Sequence, residues 1–173
     1  YGHGEVNVVD GLAQSCDVFY YLSGDKTGVD KLAQYAMGSG FGKKTGIILE
    51  NERKGLIPTS AWKKKRYKES WQGGETLSIA IGQGEVKLTP LHMANLAAII
   101  ANKGWFYDPH FVQSPKKGFP IQIQKNQTMV EAKHFLPVID GMWRVVNESG
   151  GTAGLAKING IDVCGKTGTV ENF

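Results

Sequence analysis

Apolar residues recur at helical spacing through residues 5–23, with one interruption. Val8, Val9, Leu12 and Ala13 give one apolar face and Val18, Phe19, Tyr20, Tyr21 and Leu22 another. Between them lies a polar break, Gln14-Ser15-Cys16-Asp17. Ser15 or Asp17 can cap the second helix there, or can carry chemistry. Val29, Leu32, Ala33, Ala36 and Met37 form a stripe that predicts a helix over 28–37, stopped by Gly38-Ser39-Gly40. Thr89-Pro90 predicts a helix start, a cap residue followed by proline at the first helical position. The run Leu91 to Ala101 is apolar almost all round apart from His92 and Asn95, the pattern of a central helix with His92 in its core or at its rim. Phe135, Ile139, Met142 and Val146 predict another helix over 133–146, with Pro137 in its first turns.

Other stretches carry weaker patterns. Phe41 to Glu50 reads as a turn and a short extended segment, and Thr59 or Ser60 as the cap of a helix entering the basic run. Trp71 to Glu75 reads as a loop, and Thr76 to Ile81 alternates weakly, as extended chain would. Gly82-Gln83-Gly84 predicts a tight backbone path beside another element. Residues 105–130 read as loop with short strands, and 147–154 as a glycine-rich link. Ile161-Asp162-Val163-Cys164 alternates and predicts a strand.

Composition narrows the class. The chain has 173 residues, 41% hydrophobic and 21% charged, which suits one globular domain or most of one. No apolar run is long enough to span a membrane and no signal peptide is present. The opening Tyr1-Gly2-His3-Gly4 lacks Met, as an excised piece would. Of the net charge of +4, much comes from Lys63-Lys64-Lys65-Arg66 and Lys68, interleaved with Trp62, Tyr67 and Trp71. Such mixing can indicate nucleic-acid binding, but no nucleic-acid fold motif accompanies it, so a solvated connection with aromatic anchors is the expectation. Cys16 and Cys164 form no C-x-x-C pair and no disulfide framework.

The chemistry concentrates where the predicted strand runs into Gly165-Lys166-Thr167-Gly168-Thr169. A lysine beside two hydroxyls suits an anion-binding wall. Gly160 to Thr167 also matches the phosphate-loop pattern G-x-x-x-x-G-K-[ST], whose mechanism needs a helix after the lysine. Lys-Thr-Gly is alternatively one of three motifs of the serine penicillin-recognising enzymes, with Ser-x-x-Lys and Ser-x-Asn. A second copy, Lys44-Thr45-Gly46, has no strand leading in and reads as a surface turn.

Three features in order decide between these readings. They are Ser15-Cys16-Asp17 near the start, Gly82-Gln83-Gly84 with Thr89-Pro90-Leu91 in the middle, and Gly150-Gly151-Thr152-Ala153 with Gly165 to Thr169 at the end. The combination resembles the transpeptidase domain of class B penicillin-binding proteins over essentially the whole chain. It is most similar to the elongation type, penicillin-binding protein 2. The resemblance implies a mixed α/β (α+β) fold, with a five-stranded antiparallel sheet packed with helices beside a helical subdomain. Residues 1–173 would be the C-terminal portion of one such domain, which is therefore incomplete.

The resemblance also implies a reaction. A serine attacks D-Ala-D-Ala in a peptidoglycan stem peptide, and a second stem's amine releases the acyl-enzyme. β-Lactams trap that intermediate. Ser15, Asp17 and Lys166 would be catalytic, with Lys166 near the substrate carboxylate and tuning proton transfer. Ser15 would relay protons, and Asp17 would orient Ser15 or accept a bond from substrate. Thr167 and Thr169 would bind the carboxylate, and Gly168 would let the substrate lie against the strand. The backbone N–H of Thr169 would be one oxyanion donor. Asp17 departs from the commoner Asn, because an ionised carboxylate cannot donate.

The nucleophile is expected outside this chain. Ser23-Gly24-Asp25-Lys26, Ser60-Ala61-Trp62-Lys63 and Ser114-Pro115-Lys116-Lys117 match Ser-x-x-Lys, but all follow Ser15, the wrong order for the family. The first and third look turn-like, and the second opens a basic, non-core segment. Catalysis would require no cofactor. His3 and Cys16 could hold a structural zinc with ligands further upstream, or be a turn histidine and a small buried cysteine. Expected partners are peptidoglycan stem peptides, β-lactam antibiotics and a membrane glycosyltransferase of the elongation machinery, but no nucleic acid. The family location is the periplasmic or outer face of the bacterial inner membrane, with an N-terminal anchor. Alternatives within the fold are a β-lactam sensor or a serine β-lactamase.

Overall fold

The structure is a computed structural model that describes residues 2–111 and 123–169. Helices dominate the described residues. Helix α1 (Val8–Ala13) is capped by Asn7, whose side chain accepts from the N–H groups of Val9 and Asp10. It lies against the long helix α7 (Phe135–Asn147). Helix α2 (Asp17–Thr27) runs four residues beyond its expected end, and α3 (Val29–Gly38) follows as the apolar stripe predicted.

Helices α4 (Ser60–Tyr67) and α5 (Gly73–Ala80) come next. Thr59 caps α4 through Trp62 N–H. Helix α5 corrects the reading of 73–75 as loop and of 76–80 as extended, while Trp71 and Gln72 stay outside it. Its two leading glycines and its Ser and Thr are poor helix formers. The helix is set instead by a capping box between Gln72 and Glu75. It is further set by Lys63, the buried residue of α4, whose Nζ donates to both Glu75 oxygens at 2.7 and 2.6 Å. Lys63 is thus a buried residue, not part of a solvated basic run. Helices α2 and α5 pack at Gly24, where an added Cβ would overlap Ala80 Cβ.

Helix α6 (Pro90–Ala101) begins at the predicted Thr89 cap. Its core contacts gather Ile99, Phe106 and Phe135, with Ile100, Val130 and Ile139 packed on them. His92 is 1% exposed and purely structural. Its Nδ1 accepts from Thr89 N–H and its Nε2 donates to the Lys43 carbonyl at 2.8 Å, which places the ring proton on Nε2.

Strands β1 (Trp105–Tyr107) and β2 (Lys125–Gln127) pair antiparallel, with Phe106 opposite Asn126. Among the described residues this is the only sheet, where the resemblance implied five strands. The expected strand Ile161–Cys164 is absent too. Ile161 makes an isolated bridge with Ile158, and residues 162 to 169 have no ladder partner. Alternation was present, but a strand needs a neighbour's N–H and C=O groups. Ser114-Pro115-Lys116-Lys117 lies outside the described residues.

Candidate active site

Ser15 sits in the break between α1 and α2, and the local backbone explains why. Ser15 N–H donates to Leu12 O and Cys16 N–H to Gly11 O, closing α1. Ser15 itself has φ of 53°, in the left-handed region that a non-glycine residue occupies only when its surroundings hold it there. Cys16 is buried and stands at the N-cap of α2 without a side-chain capping bond. The capping reading of Ser15 and Asp17 therefore fails. Asp17 is the exposed first residue of α2, and the Ser15 hydroxyl is left to point elsewhere.

It meets Lys166. Lys166 Nζ donates to Ser15 Oγ at 2.9 Å, and also to Thr167 O at 3.1 Å and Thr167 Oγ1 at 3.2 Å. The segment that carries Lys166 is held mainly by side chains from α7 and by two threonine contacts. Trp143 Nε1 donates to Asp162, Asn147 Nδ2 to Val163 O at 2.8 Å, and Gly165 N–H to Met142 O at 3.0 Å. Thr152 Oγ1 and Thr167 Oγ1 share a hydrogen bond of 3.0 Å. Gln83 Nε2 donates to Thr169 O at 2.7 Å. The anchored positions are therefore 162, 163, 165, 167 and 169. Lys166 lies between them.

Partial burial pulls the Lys166 ammonium below the ordinary lysine pKa, and the Asp17 carboxylate opposes that pull. A charged Lys166 donates to Ser15 Oγ, and a neutral one can accept the Ser15 proton. The pair can therefore pass a proton in either direction.

The predicted residues thus divide. Ser15, Lys166 and Thr167 are brought together, and Asp17 acts on Lys166 through its charge. The Thr167 hydroxyl is shared with Thr152. Nothing lies within 4 Å of where a Gly168 Cβ would stand, so that side of the backbone is open. The Thr169 carbonyl is engaged by Gln83. Among the described residues no group of three or more His, Cys, Asp or Glu is placed to hold an ion. Gln83, Thr152, Asn147 and Trp143 were not assigned to the site from sequence, although Gly82-Gln83-Gly84 and Gly150-Gly151-Thr152-Ala153 marked two of them.

The decoys lie apart from this cluster. Thr45 of the second Lys-Thr-Gly binds Glu52 through its N–H and hydroxyl. Ser23 lies inside α2, not in a turn, and donates to Phe19 O, while Ser60 and Lys63 are occupied by Asp30 and Glu75. No helix begins at Thr167 through Thr169, so the phosphate-loop reading lacks the element its mechanism requires.

Residues 1–173 match the penicillin binding protein transpeptidase domain along their whole length. The chain belongs to that family. It is 36% identical over 158 residues to the peptidoglycan D,D-transpeptidase MrdA of Escherichia coli K12, covering 88% of this chain and 25% of that protein. It superposes on the penicillin-binding protein PBP2 solved in complex with MreC from Helicobacter pylori with a TM-score of 0.84. The two are 33% identical, and the match covers 96% of this chain and 31% of that one. A chain solved in a peptidoglycan synthase complex, in a study of coordinated polymerization and crosslinking, gives the same TM-score at 36% identity, over 98% of this chain and 29% of that one. The chain spans roughly a quarter of the length of the MrdA it matches. Family membership gives Lys166-Thr167-Gly168 and Ser15 a common context, and the fold is that of these transpeptidase domains.

Proposed function

We propose that this chain supplies the Ser15–Lys166 half of a serine acyl-transfer site that cross-links peptidoglycan. One observation carries the proposal. A hydroxyl and an ammonium separated by 151 positions in sequence lie 2.9 Å apart, on a segment whose glycine side is open. In this reading a serine outside the chain passes its hydroxyl proton to a base that also lies outside the chain and attacks the D-Ala-D-Ala amide carbonyl. The bond to the terminal D-alanine breaks, and its nitrogen takes a proton through Ser15 from Lys166. The acceptor amine of a second stem returns a proton along the same pair as it attacks the acyl-enzyme. β-Lactams enter the first half of this sequence and stop there.

Further parts of the reading rest on the relatives. The PBP2 structure with MreC and the synthase complex support a partner in the elongation machinery, such as a membrane glycosyltransferase. A periplasmic location with a membrane anchor belongs to the same family reading. No helix of the described residues is long and apolar enough to cross a membrane. No step of the chemistry runs through a metal, and a structural zinc on His3 and Cys16 would take its other ligands from outside this chain.

The experiment is acylation of the intact protein by a fluorescent penicillin. Lys166→Ala and Ser15→Ala are each expected to slow acylation by about 10²–10⁴-fold, the usual contribution of a positioned acid–base group. Unchanged rates in both variants would sink the proposal. Hydrolysis of the penicillin with rapid turnover would favour a β-lactamase instead.

A further inference from the structure

Gln83 is held in an unusual setting for a half-buried loop residue. It follows α5, between Gly82 at φ of 78° and Gly84 at φ of 72°, both in the left-handed region where glycine is favoured. Its backbone N–H donates to Ser78 O at 2.9 Å, and Gly82 N–H donates to Ile79 O at 3.0 Å, so the loop is tied back onto the end of α5. The side chain spans 86 positions of sequence to donate from Nε2 to Thr169 O at 2.7 Å. That is the shortest of the anchors on the segment carrying Lys166, and, apart from the Lys166–Ser15 bond itself, the only one among the described residues that comes from outside the 142–152 region. Without a neighbouring strand in the described structure, residues 167–169 depend on such side-chain anchors for their position.

We propose that Gln83 is a positioning residue. Through its amide N–H it fixes the backbone at Thr169, and so sets Lys166 and Thr167 against Ser15. The α5 loop, far from the reacting groups in sequence, thereby becomes part of the frame of the acyl-transfer site. The inference rests on the function proposed above. It differs in naming a donor, and only a donor, as the requirement at position 83. An Ala side chain removes the donor. An ionised Glu also lacks it, but a protonated Glu regains an O–H at nearly the same place.

The test measures acylation of the intact protein by a fluorescent penicillin, as a rate relative to wild type across pH, with thermal melts of each variant. Gln83→Ala is expected to acylate about 3–10-fold more slowly, the effect of losing one neutral hydrogen bond. Gln83→Glu is expected to be at least as slow at about pH 7 and to recover toward wild type as pH falls to about 4.5, through the ordinary glutamate range. A role confined to loop stability predicts no such recovery. If Gln83→Glu stays equally impaired at both pH values, or if Gln83→Ala acylates as fast as wild type, the proposal falls. Should the Ala variant fail to fold, the pH ratio of the Glu variant still decides. Wild type that forms no penicillin adduct would remove the underlying function itself, which the Gln83 variants alone would not.

Discussion

Lys63 Nζ lies 2.6 Å from Glu75 Oε2 and 2.7 Å from Glu75 Oε1, joining α4 to the first turn of α5 across a nearly buried ammonium. The same Glu75 Oε2 accepts from Gln72 N–H at 2.7 Å, so one carboxylate both pairs a buried cation and caps a helix. Removing its charge leaves Lys63 with only Glu69, 3.8 Å away and largely exposed. Glu75→Gln is expected to destabilise the protein by about 1–2 kcal/mol, the scale of lost charge-assisted hydrogen bonds at a half-exposed site. Lys63→Ala should cost at least as much, since it also empties a buried position. Chemical denaturation of the intact protein checks both, and a change below about 0.3 kcal/mol in both would contradict the pairing.

The same pair fixes a pH dependence. Burial pushes the Glu75 carboxyl up. The hydrogen bonds from Lys63 and Gln72 and the charge of Lys63 outweigh burial, so the net pKa lies below the ordinary value of 4.5. A carboxyl whose folded pKa is lowered adds stability that is complete above its unfolded pKa and is lost as pH falls through the folded one. The difference in melting temperature between wild type and Glu75→Gln should therefore be constant near neutrality and shrink below about pH 4.5. A difference that grows on acidification would reverse the assigned sign.

How far the sequence reaches follows from where each signal resides. Helices α3, α6 and α7 were legible because their determinants are local: an apolar stripe, a Thr89-Pro90 start, a glycine-rich stop. Helix α5 was not, because its capping box starts at a glutamine rather than a usual cap residue, and its Glu75 is also held by Lys63, twelve positions away. The Ile161–Cys164 alternation promised a strand, but alternation records only which faces differ, not whether a neighbour is present to pair. The site shows the same division. Lys166 and the threonines were visible as a motif, whereas Ser15 could equally have been a helix cap. Only its left-handed backbone and a lysine 151 positions away separate the two roles. Gln83 and Thr152 act through single long-range hydrogen bonds, which leave no periodic trace.

Gly24 and Ala80 offer a test of the α2–α5 contact that is independent of charge. A methyl at Gly24 would overlap the Ala80 methyl, so the helices touch at their smallest residues. Gly24→Ala is expected to lose about 1–3 kcal/mol to overpacking, offset in part by the better helix propensity of alanine. Ala80→Gly should be mildly destabilising alone. The double variant, Gly24→Ala with Ala80→Gly, restores the one-methyl interface and should recover most of the loss, giving a clear favourable coupling. Strict additivity of the two single changes would mean that the two helices do not meet there.

Asp17 supplies the sharpest check on how Lys166 is tuned. The partial burial of Lys166 lowers its pKa and the Asp17 charge raises it, so the two oppose each other across the entrance of α2. Asp17→Asn removes the second effect and leaves the first, and the Lys166 pKa should fall further. The direction of the kinetic consequence does not depend on whether Lys166 acts as acid or base. If the neutral amine is needed, the acidic limb of the acylation profile moves to lower pH. If the ammonium is needed, the basic limb does. Because Asp17 is exposed, the plateau rate should stay within about threefold of wild type. Measuring the profile in wild type, Asp17→Asn and Lys166→Ala identifies the Lys166-dependent limb as the one that the last variant abolishes. A limb that moves upward in Asp17→Asn, or that persists unchanged in Lys166→Ala, would detach Lys166 from the proton transfer assigned to it.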